Sequence, residues 1–156
     1  MKYSMFIFLG LNLFACKDKG DDTAGGDDTA DTQDTDTDGS GLDIEIAGSW
    51  LDDYGSDHVI SNTEWSSYSG SSVVHLSQYD NDLNFTVGQN DAANTYNPSL
   101  FSRYDWFEDT TGQLWYCTTA YDAATEEDAA NAAAPDTTDP ATSGCGSFPW
   151  SKLNPA

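Results

Sequence analysis

Positive charge is what this chain has least of. Lysine and arginine together number five in 156 residues, against 27 aspartates and glutamates, a formal net charge of −22. Phosphate backbones and anionic headgroups are recognised by clustered cations, so nucleic acid and direct electrostatic attachment to anionic lipid are both excluded as partners. Self-repulsion on this scale favours a monomer. Histidine occurs only as His58 and His75, and cysteine only as Cys16, Cys117 and Cys145. No H-E-x-x-H, phosphate loop, nucleophile elbow or paired C-x-x-C is present. Carboxylates are so plentiful that any two would serve as a nominal glycosidase pair, so that pattern carries no information. No cofactor and no metal centre is expected. A hydrophobic run long enough to cross a bilayer is also missing.

The N-terminus carries an apolar run instead, 5–15, behind Lys2. Eleven helical residues cover roughly 16 Å at 1.5 Å each, about half of a hydrocarbon core. That length suits the core of a signal peptide. The run ends in Leu13-Phe14-Ala15-Cys16, which resembles the lipobox of bacterial lipoproteins. The resemblance implies cleavage before Cys16, a diacylglycerol thioether on its sulfur and acylation of the new terminus. Residues 1–15 are then the signal peptide. The second mature position is then Lys17, not the Asp that resembles an inner-membrane retention signal, so the implied location is the outer membrane of the cell envelope, reached through covalent lipid. More than one acyl chain is needed for stable anchoring, and this modification supplies them.

Residues 16–41 then read as a lipidated cysteine and a tether of Asp, Thr, Gly and Ala. With almost nothing to bury, such a segment cannot offset the entropy of ordering, and the expectation is a disordered linker. Asp34, Asp36, Asp38 and Glu45 match the written form of a calcium loop, D-x-D-x-D-G-x5-E. A working loop needs a helix on each side and an apolar eighth residue. Gly41 is at the eighth position, and the flanks show no helical periodicity. The match reads as a by-product of Asp repetition.

Composition changes at residue 42. All five tryptophans and seven of the eight tyrosines follow residue 49. Alternating stretches predict strands over 43–51, 57–65, 72–79, 82–89, 100–108, 113–121 and 147–153. In 82–89, Leu83, Phe85 and Val87 share the apolar face. Seven strands, mostly neighbours in sequence, predict an all-β domain over 42–156, an antiparallel sandwich or small barrel. Two segments interrupt the pattern. Residues 89–99 form a polar loop, and the Ala-rich stretch from Asp122 predicts a surface excursion with a short helix stopped by Pro135. With Cys16 assigned to lipid, Cys117 and Cys145 remain as an even pair in an oxidising compartment, which predicts a disulfide.

One strand carries more than packing. Arg103, the sole arginine, shares a strand face with Phe101, Asp105 and Phe107, while Tyr104 and Trp106 face the other way. A ligand groove would use Arg103 and Asp105 for polar contacts and Tyr104, Trp106, Trp115 or Trp50 for stacking. The alternative is an internal Arg–Asp pair under an aromatic ring. The sequence favours the pair, because a lone arginine in so acidic a domain has carboxylates as neighbours. Gly48-Ser49-Trp50 in the first strand resembles the G-x-W of lipocalins and related calycin barrels, where the tryptophan plugs one barrel end. The expected function is a lipid-anchored, non-catalytic β domain that binds a small molecule, glycan or protein. The alternatives are a structural or adhesive surface protein and an envelope-polymer hydrolase.

Overall fold

Neighbouring strands pair in sequence order, and the last one closes the circle. The computed structural model describes residues 43–156. The expectations for Cys16, the signal peptide, the tether and Asp34, Asp36 and Asp38 lie outside the described residues. Eight strands form a closed antiparallel barrel: β1 (Gly48–Asp52), β2 (Asp57–Ile60), β3 (Glu64–Ser67), β4 (Ser72–Asp80), β5 (Phe85–Asn90), β6 (Phe101–Glu108), β7 (Leu114–Ala123) and β10 (Ser151–Pro155). Strands β1 to β7 run up and down in order, and β10 enters between β7 and β1. Between β7 and β10 lie the helix α1 (Glu126–Ala130) and a two-stranded ribbon of β8 (Gly144–Cys145) and β9 (Phe148–Pro149). Of the two architectures expected, the barrel is the one formed.

Several boundaries differ from the sequence reading, each for a local reason. The stretch 43–51 is extended only from Gly48. Ahead of it a turn, closed by Ala47 N donating to Ile44 O at 2.9 Å, drives Ile44 and Ile46 into the barrel. The single strand expected over 57–65 is two, because Ser61-Asn62-Thr63 make a tight connection closed by Ser61 N and Glu64 O. Leu83 is not on an apolar face. It sits in the β4–β5 turn, 70 % exposed, while Thr86, on the strand face opposite Phe85 and Val87, is fully buried. The expected strand over 147–153 is split between β9 and β10.

Register explains how the barrel tightens. Gly88 lies opposite Leu76 with a bulge at Ser77 beside it. A Cβ on Gly88 would stand 2.4 Å from the His75 carbonyl oxygen, so only glycine permits this approach of β4 and β5.

Side chains fill the interior. Ile44, Ile46, Ile60, Trp65, Val74, Trp106 and Leu153 are buried there, with Trp50, Leu76, Tyr79, Tyr104, Leu114 and Tyr116 packed against them. Trp65 stacks on Tyr104 at 4.2 Å between ring centroids. A second, smaller cluster of Trp115, Cys117 and Trp150, with Phe107 and Cys145, uses the opposite faces of β6 and β7 and holds the excursion on the barrel wall. The predicted disulfide between Cys117 and Cys145 is present there. The excursion buries more than its composition promises: Ala129 is completely inaccessible where α1 packs on β5, β6 and β7.

Candidate functional site

The barrel wall divides the six residues nominated for a groove. Tyr104, Trp106 and Trp50 belong to the interior, whereas Trp115 belongs to the outer cluster. Arg103 and Asp105 also lie outside, beneath the excursion. Arg103 Nε donates to Asp105 Oδ2 at 2.9 Å and Nη2 to Asp105 Oδ1 at 2.7 Å, a two-point ion pair. Arg103 Nη1 donates to the carbonyls of Ala130 and Ala132 at 2.6 and 3.0 Å. These are orphan acceptors at the end of α1, which has no basic residue in its own last turn. The guanidinium also lies 4.3 Å from the Phe85 ring centroid. Its neighbours therefore account for it as an anchor for the helix. Trp115 Nε1 donates to Asp109 Oδ2 at 3.0 Å, and Trp50 Nε1 donates to Ile46 O at 3.0 Å.

Where the chain enters, 43–47 cross one end of the barrel. Ile44 N donates to Asn62 Oδ1 at 2.9 Å and Glu45 N to Asn81 Oδ1 at 3.1 Å, so the two adjacent turns hold the segment. Glu45 Oε1 accepts from Trp106 Nε1 at 2.5 Å. That engagement gives Glu45 a structural partner in the plug.

A polar cluster occupies the interior towards the other end. His58, buried on β2, receives Trp65 Nε1 on its Nδ1 at 3.1 Å. Indole N–H only donates, so this nitrogen is unprotonated and the ring proton sits on Nε2. From there it faces Asp52 Oδ2 and Tyr116 Oη, each at 3.4 Å. Ser67 Oγ also lies 2.9 Å from Nδ1. Asp52, His58 and Ser67 thus align as an acid, a base and a hydroxyl, the constituents of a nucleophilic triad. Trp65 changes the chemistry, because its N–H occupies the lone pair that Ser67 would need for deprotonation. Ser67 is itself buried. Burial lowers the His58 pKa, against an opposing pull from Asp52. Burial alone would raise the Asp52 pKa, but the Ser56 and Tyr54 amides and His58 outweigh it and leave it lowered. Burial pushes the Tyr104 and Tyr116 phenols well above their ordinary range. The cluster is a satisfied buried network.

The same end carries the surface feature that strand reading missed. The seven described tyrosines divide cleanly: Tyr79, Tyr104 and Tyr116 pack in the barrel, and Tyr54, Tyr68, Tyr96 and Tyr121 are exposed. The exposed four all lie at the end opposite the plug: Tyr54 between β1 and β2, Tyr68 between β3 and β4, Tyr96 between β5 and β6, and Tyr121 near the end of β7. Tyr54 and Tyr96 are 78 % and 82 % exposed. Tyr68 and Tyr96, with Ser71, Ser72, Asn94 and Thr95, line a cleft of about 440 Å3.

Both loops of this cleft contain left-handed backbone and are tied down by side-chain hydrogen bonds. Tyr68 and Ser69 have φ of 54°, followed by Gly70 at 81°. The left-handed region costs a non-glycine residue roughly 1–2 kcal/mol. Asp57 offsets this by accepting the Ser69 amide on both carboxylate oxygens, at 2.9 and 3.0 Å. Across the cleft, Asn94 imitates a strand neighbour: its Oδ1 accepts from Val73 N at 2.9 Å and its Nδ2 donates to Val73 O at 2.7 Å. Buried Asn90 donates to Asn97 O and Tyr121 O and accepts from Ser102. The only sequence signal for this site was the Gly, Ser and Asn content of the turns, and that content is shared by every turn in the domain. Among the described residues, no group of His, Cys, Asp or Glu is arranged to hold a metal ion, and no helix is long and apolar enough to cross a membrane. No family model, curated protein or solved structure matches the chain.

Proposed function

We propose that this protein is a lipid-anchored, non-catalytic envelope domain that recognises its ligand with the tyrosine-bearing loops at one end of the barrel. The observation carrying this reading is the segregation of Tyr54, Tyr68, Tyr96 and Tyr121 to one rim while the remaining described tyrosines fill the core. Tyrosine gives large, rigid contact area at little entropic cost, and Ser, Thr and Asn beside it supply hydrogen bonding. The loops are braced in advance, which reduces the ordering cost of binding. Asp43, the first described residue, is held by Asn62 and Asn81 at the plugged end, away from the rim. The packed interior of Trp65, Trp106, Val74 and Leu153 supports recognition by surface loops rather than by a lumen.

Two measurements test the reading. Mass spectrometry of the mature protein should find residue 16 at the N-terminus, carrying a thioether lipid. Purified envelope material should retain the wild-type protein and release a Tyr54→Ala, Tyr68→Ala, Tyr96→Ala triple variant whose circular dichroism is native. Equal retention of both proteins would count against the rim. A structural coat role without a discrete ligand draws on the same filled barrel, and it predicts that equal retention.

A further inference from the structure

The rim reading leaves the ligand class open, and the cleft's chemistry narrows it. Charged residues make up 21 % of the chain, yet none lines this cleft. Asp57 and Asp91, which brace the flanking loops, have partners of their own: Asp57 holds the Ser69 amide and hydroxyl, and Asp91 holds the Ala93 amide and His75. Among the described residues, neither the arginine nor the lysine lines the cleft. Arg103 is buried against Asp105 on the outer wall, and Lys152 Nζ sits 5.2 Å from the Trp115 ring centroid. An anionic ligand would meet no counter-charge and a strongly repelling domain. A cationic ligand would find no carboxylate in the lining to replace its lost hydration.

What the lining offers is two aromatic faces and several short polar groups. The Ser72 and Thr95 hydroxyls and the Tyr96 phenol have no hydrogen-bond partner among the described residues. Ser71 Oγ donates to Tyr68 O at 2.7 Å, which leaves its lone pairs to accept from a ligand. Asn94 is spent on Val73 and acts as wall. A molecule matching this set presents an apolar face to an aromatic ring and neutral hydroxyls at its edge. A pyranose does so, with axial C–H groups on one face and equatorial hydroxyls around the rim. The volume of about 440 Å3 falls within the range of small-ligand sites, about 300–1,000 Å3.

We infer that the Tyr68–Tyr96 cleft binds an uncharged saccharide, with the Tyr96 ring stacked on a sugar face and Ser71, Ser72 and Thr95 contacting its hydroxyls. This inference rests on the rim reading above and adds the ligand class to it.

Calorimetric titration of the full chain tests it, using chitotriose and cellotriose as neutral probes and trigalacturonic acid and spermidine as charged ones. The expected result is saturable binding of a neutral trisaccharide and no Tyr96-dependent binding of the charged probes. Tyr96→Ala should weaken that binding at least about tenfold, with an unchanged unfolding midpoint. Tyr68→Gly, which relieves the positive φ while removing the ring, provides a second variant in case the first disturbs its loop. Neutral-sugar binding that persists at full strength in both variants would overturn the cleft assignment. Tyr96-dependent binding of spermidine or trigalacturonic acid alone would overturn the saccharide class and leave the rim reading standing. Failure of all four probes would likewise reject the saccharide class, and retention of the triple variant on envelope material decides the rim reading separately.

Discussion

Arg103 and Asp105, two positions apart on β6, form a two-point ion pair on the outer wall of the barrel, and the same guanidinium caps the carbonyls at the end of α1. Both side chains are almost fully buried. Removing one partner strands the other charge away from water, which costs about 3–5 kcal/mol. Asp105→Ala should therefore lower the urea midpoint sharply. An Arg103→Met, Asp105→Leu double variant should recover much of the loss, since it leaves no buried charge unpaired. A double variant as unstable as the single one would show that the pair does more than neutralise itself.

The segment before the first strand is core. Ile44 is 1 % exposed, and Glu45 receives the Trp106 indole N–H. Ile44→Ala should cost about 2–5 kcal/mol, as for buried aliphatic truncations generally. Glu45→Ala should cost about 1–3 kcal/mol by leaving a buried donor unsatisfied. Equilibrium denaturation measures both. Values near zero would mean that the barrel end closes without its plug.

The His58 network makes stability depend on pH. The unfolded imidazole takes its proton near pH 6.5, and the folded one resists it because burial and the Trp65 N–H disfavour the cation. As pH falls below about 6.5 the unfolded state binds the proton first, so stability is complete above that value and declines towards the lower folded pKa. The lowered Asp52 pKa acts further down: its contribution is present above the ordinary carboxylate value and disappears as pH falls through the folded one. Urea midpoints should hold above pH about 6.5 and fall as the pH drops below it. The His58 ring resonances should stay in their neutral position through pH 6.5 in a two-dimensional NMR titration. Ring signals that titrate at the ordinary value would contradict the buried neutral assignment.

The disulfide closes the excursion with a separation of 28 residues. On the chain-entropy account that contributes about 3–4 kcal/mol. A Cys117→Ser, Cys145→Ser double variant should lose stability of that order, and limited proteolysis should cut it first within 131–143. Cleavage elsewhere would show that Arg103 and Ala129 alone retain the excursion.

Much of the architecture was legible because its signals are local. Alternation over 72–79, 100–108 and 113–121 marked β4, β6 and β7, and the turn at Asp109 to Gly112 joined the last two as expected. The Arg103–Asp105 pairing was legible for the same reason, since residues i and i+2 share a strand face. Leu83 misled the reading because apolar alternation continued into a turn whose exit, at Asn84 with φ 56°, ends the face. Ile44 and Ile46 misled it differently. Their alternation signals burial correctly, but a plug buries side chains without a strand.

From its own order of residues the chain determined an acidic all-β domain of hairpins, with two cysteines inside that domain to join. These follow from period-two patterning, turn chemistry and residue counts, which are properties of adjacent positions. Only the tertiary structure decided that β10 closes the circle, that the wall separates Trp106 from Trp115, and that Tyr68 and Tyr96 face one cleft. Those outcomes depend on strand register and on loops brought together from distant segments. Identical alternation is compatible with many such arrangements until the core packs.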